Sequence, residues 1–234
     1  KADVTLIGKE DVIRCKIREF YGKEMEEISS RLKIKNTTES IEMEDQPTVA
    51  IKRKKDSSMV VGFKMLKEGE GDVFISAGST GGLLVGATTI VKRLGNIDRP
   101  CLGSIIPTKG GRMILVDSGL NLSCNPERYK NYAYLGAAYV NALFKTENPR
   151  VGLVNIGSEE EKGPDDIKAA NALMKESTLN YIGYLEGKDL FEGKADVVVT
   201  DGFTGNVILK VVEGTAKYMF TEVKNVLLKN IKTI

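Results

Sequence analysis

Three observations predict a three-layer α/β/α fold around a mainly parallel sheet. Short apolar runs alternate along the chain with longer segments whose apolar residues recur every three or four positions. That alternation is the mark of successive βα units. Several of the short runs are continuously apolar, as strands covered by helices on both faces must be. Polar turns containing glycine follow most of them.

In chain order the strand-like runs are Val4 to Ile7, Leu32 to Ile34, Val73 to Ser76, Leu102 to Ile106, Met113 to Val116, Val151 to Asn155, Tyr181 to Ile182 and Val197 to Thr200. Helices are expected over 49–67, 81–93, 127–144, 165–176 and 207–230. Pro126 and Pro164 stand where a first helical turn tolerates the missing N–H. No Pro/Ser-rich linker or low-complexity tract interrupts the pattern, so residues 1–234 read as a single α/β domain with a subdomain boundary near 145–150. The chain opens on Lys1 almost inside a strand and closes inside an amphipathic helix. An N-terminal strand and a C-terminal segment are therefore expected outside it.

One pattern occurs twice. Residues 72–85 read DVFISAGSTGGLLV and residues 196–209 read DVVVTDGFTGNVIL. Each is an acid, an apolar run, a Gly-x-Thr-Gly turn and a second apolar run. The first run is too short for a helix and predicts a central parallel strand; the glycines allow close backbone approach, and the threonine can cap the helix that follows. Two such turns suggest a shared anion-binding crevice at the carboxyl ends of the strands. Taken singly, each is better explained as an ordinary βα connection.

Composition removes several chemistries. There is no histidine among 234 residues, which excludes imidazole-activated serine or cysteine nucleophiles and HExxH zinc sites. Cys15, Cys101 and Cys124 form no CxxC pair and suit a reducing cytoplasm. A net charge of +2 with 6% aromatic residues argues against nucleic acid as a partner. Charge and glycine break every apolar stretch before membrane-spanning length. The remaining actors are carboxylates, lysines, amides, backbone donors, or a nucleophile brought by the substrate.

The polar turns supply the candidates. Lys162, in Ile156 to Pro164, precedes a glycine and a proline that can open a helix, so its ammonium can add a point charge to the N–H groups there. A surface lysine balancing Glu159 to Glu161 is the simpler explanation of it from the residues alone. Asn121 and Asn206 can each donate to a carbonyl or phosphoryl oxygen, or serve the turn itself. Asp117 and Asp201 can orient a lysine or cap a helix. The segments Pro107 to Arg112 and Gly183 to Gly187 are further polar turns. Lys52, Arg53, Lys54 and Lys55 form a run of cations that faces either solvent or an acidic partner. Lys210, Lys217 and Lys224 punctuate the final helix, which can pack on the sheet, on a subunit, or on a membrane surface.

Together these segments resemble the phosphate acyltransferase family of bacterial phospholipid synthesis, often called PlsX. The likeness is carried by KRKKDSSM at 52–59, ISAGSTGGLL at 75–84, GNIDRP at 95–100, PERYKNYAYLG at 126–136 and NPRVGLVNIGSEEEKG at 148–163, and by the whole stretch from Asn180 to Gly214. The family's SAGNTGA, DVGAN and KGNELTK read SAGSTGG, DSGLN and KGPDDIK here. The resemblance implies an isocitrate dehydrogenase-like, phosphotransacetylase-related fold. It also implies transfer of a fatty acyl group from acyl carrier protein to inorganic phosphate, with no metal or organic cofactor. Its catalytic lysine and asparagine fall on Lys162 and Asn206. Gly78, Thr80, Gly81, Gly202, Thr204 and Gly205 would then supply donors, and Asp117, Asn121 and Asp201 would bind or support. The cation run at Lys52 to Lys55 would dock the acidic carrier. A cytoplasmic homodimer at the inner face of the membrane is expected from the same likeness. Three other readings stay open: a coenzyme A-dependent phosphotransacetylase, a nicotinamide dehydrogenase on the related fold, and a non-catalytic scaffold for the carrier.

Overall fold

The chain parts between Pro100 and Cys101 into two units, Lys1–Pro100 and Cys101–Ile234, in a computed structural model that describes residues 3–22, 32–95 and 97–231. The boundary expected near 145–150 is instead a tight connection inside the second unit. Asn141 Nδ2 donates to the Thr146 carbonyl at 3.1 Å, and Asn180 Nδ2 donates to the Asn148 carbonyl at 3.1 Å.

In the first unit, β1 (Val4–Gly8) and β2 (Leu32–Asn36) pair in parallel. The sequence pattern did not single out α1 (Glu10–Tyr21), whose charged residues outnumber a narrow apolar stripe on which Ile17 alone is buried. Its first N–H is capped from the neighbouring strand, since Glu10 N donates to Asn36 Oδ1 at 2.9 Å. The single helix expected over 49–67 is two, α2 (Pro47–Arg53) and α3 (Ser58–Glu68). Ser57 breaks the run by capping α3 through its own fully buried hydroxyl. Lys54 donates to the Ser40 carbonyl and pairs with Asp45. The exposed cations are thereby reduced to Lys52, Arg53 and Lys55. α4 (Thr80–Gly86) continues into a π-helical turn at Ala87–Val91.

Val73 to Ser76 is not a strand. Val73 is 76% and Ile75 88% exposed, whereas Phe74 between them packs on Phe63 with ring centroids 4.9 Å apart. Only one side chain of the run joins the core of Ile51, Met59, Val60 and Phe63. Hydrophobicity alone did not reveal that the segment pairs with no strand among the described residues.

The second unit holds β3 (Gly103–Thr108), β4 (Gly111–Val116), α5 (Pro126–Phe144), β5 (Arg150–Val154), α6 (Asp165–Lys175), β6 (Asn180–Leu185), β7 (Val197–Val199) and α7 (Gly202–Ile231). Its sheet runs β3-β4-β7-β5-β6, parallel except for the β3–β4 hairpin. Alternation along the strands builds both cores. Ile114, Val116, Val151, Leu153, Val197 and Val199 pack with Tyr129, Tyr132 and Ala133 of α5 and Ile167 and Met174 of α6. Met113, Leu115 and Val198 point the other way, where Ile208 and Leu209 of α7 cover them. Burying one such side chain is worth about 1.5–3 kcal/mol. The three valines of β7 thus anchor a strand too short to hold its place by hydrogen bonds alone.

Asp196 fixes the start of β7. It accepts from Arg150 N at 2.8 Å, Nε at 3.1 Å and Nη2 at 3.0 Å. Partial burial works to raise its carboxyl pKa, but the Arg150 hydrogen bonds and charge outweigh this and hold it below the ordinary value. A depressed folded-state pKa contributes stability above the unfolded pKa, and that contribution disappears as pH falls through the folded value. Below about pH 4 the wild-type melting temperature should therefore fall more steeply than that of Asp196→Asn. Parallel pH profiles in thermal melts would remove this role.

α7 packs on the sheet only through its first turns. Leu209, Val212, Ala216, Met219, Val223 and Val226 follow a three-four spacing along one stripe. Leu209 and Val212 are partly buried, while the residues from Ala216 onward are exposed. No helix among the described residues is long and apolar enough to cross a membrane.

Candidate active site

β4, β7 and β5 lie side by side and parallel, so the turns that follow them open at one end of the sheet. That crest is where an open parallel sheet collects ligands. It gathers Asp117 and Asn121 after β4, Asp201 to Asn206 after β7, and Lys162 after β5. The segment Pro107 to Arg112 forms the β3–β4 hairpin, at the opposite end of β4. Gly183 to Leu185 continue β6 rather than forming a turn.

Asp117 organises the first turn. Its Oδ1 accepts from the N–H groups of Leu102, Gly119 and Leu120 at 3.0, 3.2 and 3.1 Å. Its Oδ2 accepts from Asn121 N and Nδ2, each at 2.8 Å. Burying a carboxylate costs several kcal/mol, which five donors of this kind can offset. Asp117 is wholly buried; it shapes the loop and does not face a ligand. The Asn121 amide is likewise turned inward to Asp117, and the Asn121 carbonyl accepts from Gly202 N at 2.8 Å.

The second turn rests on the first. Asp201 is a capping residue: its Oδ1 accepts from Thr204 N at 2.9 Å and its Oδ2 from Thr204 Oγ1 at 2.7 Å. Gly205 N donates to the Asp201 carbonyl at 2.9 Å. The donors of Gly202, Thr204 and Gly205 are thus engaged within the protein. Their glycines serve close approach. A Cβ on Gly205 would lie 1.9 Å from the Asp117 carbonyl oxygen, and one on Gly202 would lie 2.7 Å from Asn121 N. These contacts lie in the first turn of α7, which leaves Asn206 exposed. Gly119, with φ +144°, is the seat of the Asn206 amide, whose Nδ2 would be 2.9 Å from a Cβ there.

Lys162 is exposed, and its stem lies over Gly157, where a Cβ would meet Lys162 Cγ at 3.2 Å. Among the described residues its ammonium has no carboxylate partner; the neighbouring Glu160 pairs with Lys175 instead. Of the three glutamates it could balance, Glu160 is thereby taken up, while Glu159 and Glu161 remain beside it in the chain. Pro164 is the N-cap of α6 rather than a residue of its first turn. Asp165 and Asp166 occupy that turn, and Asp166 Oδ1 accepts from Ile167 N at 2.9 Å. The α6 terminus therefore already carries its own negative charge, and the lysine must supply the attraction for an anion.

The first-unit copy of the turn is built differently. Ser79 caps α4 by accepting from Gly82 N at 3.3 Å, so this helix starts two positions later in the repeat than α7 does. Gly78 and Gly82 pack on Met59, and Gly81 on Pro47, where a Cβ would meet Cγ at 2.8 Å. Thr80 is exposed. Sequence pattern overlooked Gly119, Gly157, Gly163 and Asn155, which seat the two candidate side chains. For Gly119, Gly157 and Asn155 the available signal was their position in the first residues after a buried strand; Gly163 had only its place beside Lys162.

No thiol near the crest is suited to carry an acyl group. Burial above all, with the Asp117 charge adding to it, pushes the Cys101 thiol up to about 12 and the Cys124 thiol up to about 11. Thiols so raised stay neutral, and the thiolate is the nucleophilic form.

The mainly parallel sheet flanked by helices has the fold seen in phosphotransacetylases. A EutD phosphotransacetylase from Staphylococcus aureus superposes with a TM-score of 0.61 over 92% of this chain and 83% of its own, at 14% identity. A branched-chain phosphotransacylase from Enterococcus faecalis V583 gives 0.51 over 91% and 84%, also at 14%. At that identity the likeness concerns the fold. The family described as "Fatty acid synthesis protein" matches residues 1–233. A phosphate acyltransferase from Acetivibrio thermocellus is 48% identical over 231 residues, spanning 99% of this chain and 67% of that protein. One from Thermotoga petrophila is 45% identical over 225 residues, spanning 96% and 63%. The chain belongs to the phosphate acyltransferase family.

Proposed function

We propose that this chain moves a fatty acyl group from acyl carrier protein to inorganic phosphate, yielding acyl phosphate for phospholipid synthesis. The observation that carries the reading is the Lys162 ammonium on the crest of β5, without an ion pair among the described residues, in a family whose members are named phosphate acyltransferases. An oxygen of hydrogenphosphate attacks the thioester carbonyl. The new C–O bond forms first, giving a tetrahedral oxyanion; its collapse breaks the C–S bond, and the phosphate proton leaves with the thiol. Phosphate is itself the nucleophile, so a chain without histidine and with raised thiols lacks nothing for this step. Lys162 holds phosphate and neutralises charge, and Asn206 Nδ2 donates to the oxygen that becomes negative as the carbonyl turns tetrahedral.

The exposed Lys52, Arg53 and Lys55 suit an acidic carrier, and this separates the two donor classes. Offered long-chain acyl carrier protein or acyl coenzyme A with phosphate, the protein should form hydroxylamine-trappable acyl phosphate faster from the carrier, with a KM that rises with salt. Equal rates from both donors would favour the coenzyme A reading. Carrier binding without acyl phosphate would leave a scaffold. The exposed α7 stripe from Ala216 to Val226 supports a homodimer at the inner face of the membrane. Sedimentation at a monomer mass would remove the dimer.

A further inference from the structure

We propose that Asn155 is a positioning residue for Lys162, clamping the lysine's own backbone so that its ammonium faces phosphate; this rests on the reading of Lys162 given above. Asn155 follows β5 directly, and its N–H donates to the Leu185 carbonyl at 2.9 Å, which ties it to the end of β6. Its side chain is 93% buried, being 7% exposed. Nδ2 donates across the loop to the Lys162 carbonyl at 3.0 Å. The loop thus returns to the strand it left at the residue whose side chain is exposed for chemistry.

Two neighbours fit the clamp. Gly163 has φ +90°, and a Cβ there would lie 2.1 Å from Asn155 Oδ1, so the amide occupies the space that glycine leaves. Gly157 gives the Lys162 stem its seat, and Lys162 N donates to the Glu159 carbonyl at 3.1 Å. Main chain and stem are fixed, and only the far end of the lysine is left to move.

Asn155 Oδ1 is buried and has no hydrogen-bond partner among the described residues. Buried acceptors are rarely left in this state, because the desolvation they suffer is not returned. A side chain kept for stability alone would satisfy both ends of its amide. Here one end holds Lys162 and the other is sacrificed to shape. Aspartate in the same place would set an oxygen against the Lys162 carbonyl, so the donor is the required half.

The test compares Asn155→Ala, Lys162→Ala and the double variant in the purified protein, reading kcat, KM for phosphate, melting temperature, and calorimetric affinity for inorganic phosphate. If Asn155 acts through the lysine, Asn155→Ala weakens phosphate affinity and lowers kcat/KM by roughly 10- to 100-fold. The double variant is then no worse than Lys162→Ala alone. Asn155→Asp keeps the shape and lacks the donor, and it carries the same expectation if the alanine variant does not fold. Losses that multiply in the double variant, or a lower melting temperature with unchanged phosphate affinity, would overturn the assignment. If Lys162→Ala itself leaves phosphate affinity and kcat intact, it is the reading of the lysine that fails.

Discussion

Lys162→Ala is expected to lower kcat by about 10²- to 10³-fold, the usual cost of removing one preorganised stabiliser of transition-state charge. The melting temperature should hardly change, because substitutions at exposed sites without partners stay within about 0.5 kcal/mol. Lys162 is such a site: exposed, and with no ion pair among the described residues. Lys162→Arg should recover only part of the activity, since a planar fork on a stem seated over Gly157 cannot place a compact point charge. Steady-state rates of acyl phosphate formation, with a thermal melt beside them, check both halves. Wild-type turnover in Lys162→Ala would take the lysine out of the chemistry.

Gly205→Ala should have the largest effect on stability. The added Cβ would meet the Asp117 carbonyl oxygen at 1.9 Å and Thr200 Cγ2 at 2.9 Å. A backbone oxygen cannot rotate away, and this one belongs to a loop held by five donors to a buried carboxylate. Relief requires α7 to lift from the β4 turn, which also moves Asn206 off Gly119. Overpacking of this severity costs about 3 kcal/mol or more, or a fall in melting temperature of roughly 10 °C. Gly214→Ala, in the same helix with nothing within 4 Å of its Cβ, is the control and should stabilise by a few tenths to 1 kcal/mol. Equal melting temperatures for the two variants would show that the α7 contact is looser than these distances.

The α/β alternation made most of the second unit legible, because β4, β5 and β7 owe their place to continuous aliphatic runs that few other structures can bury. The repeated motif misled at its first copy. Val73 to Ile75 has the same polarity as Val197 to Val199, but pairing depends on what lies beside a strand, and the run does not encode that. The single helix expected over 49–67 failed for a local reason, the capping preference of Ser57. Lys162 could be singled out but not decided, since three adjacent glutamates offered it an ordinary role, from which the structure removes Glu160 by pairing it with Lys175. Asn155 was invisible because the run Val151 to Asn155 counted it as the last residue of a strand. Its orphaned oxygen and its hold on the Lys162 carbonyl exist only in three dimensions.

In the proposed reaction phosphate attacks the acyl thioester directly, with this chain supplying position and charge. The most direct test is the initial rate of acyl phosphate formation over a grid of acyl carrier protein thioester and phosphate concentrations. Direct attack predicts intersecting double-reciprocal lines, with acyl phosphate and free thiol formed one for one. Parallel lines would reveal a covalent acyl-enzyme and contradict the claim; so would release of thiol without acyl phosphate.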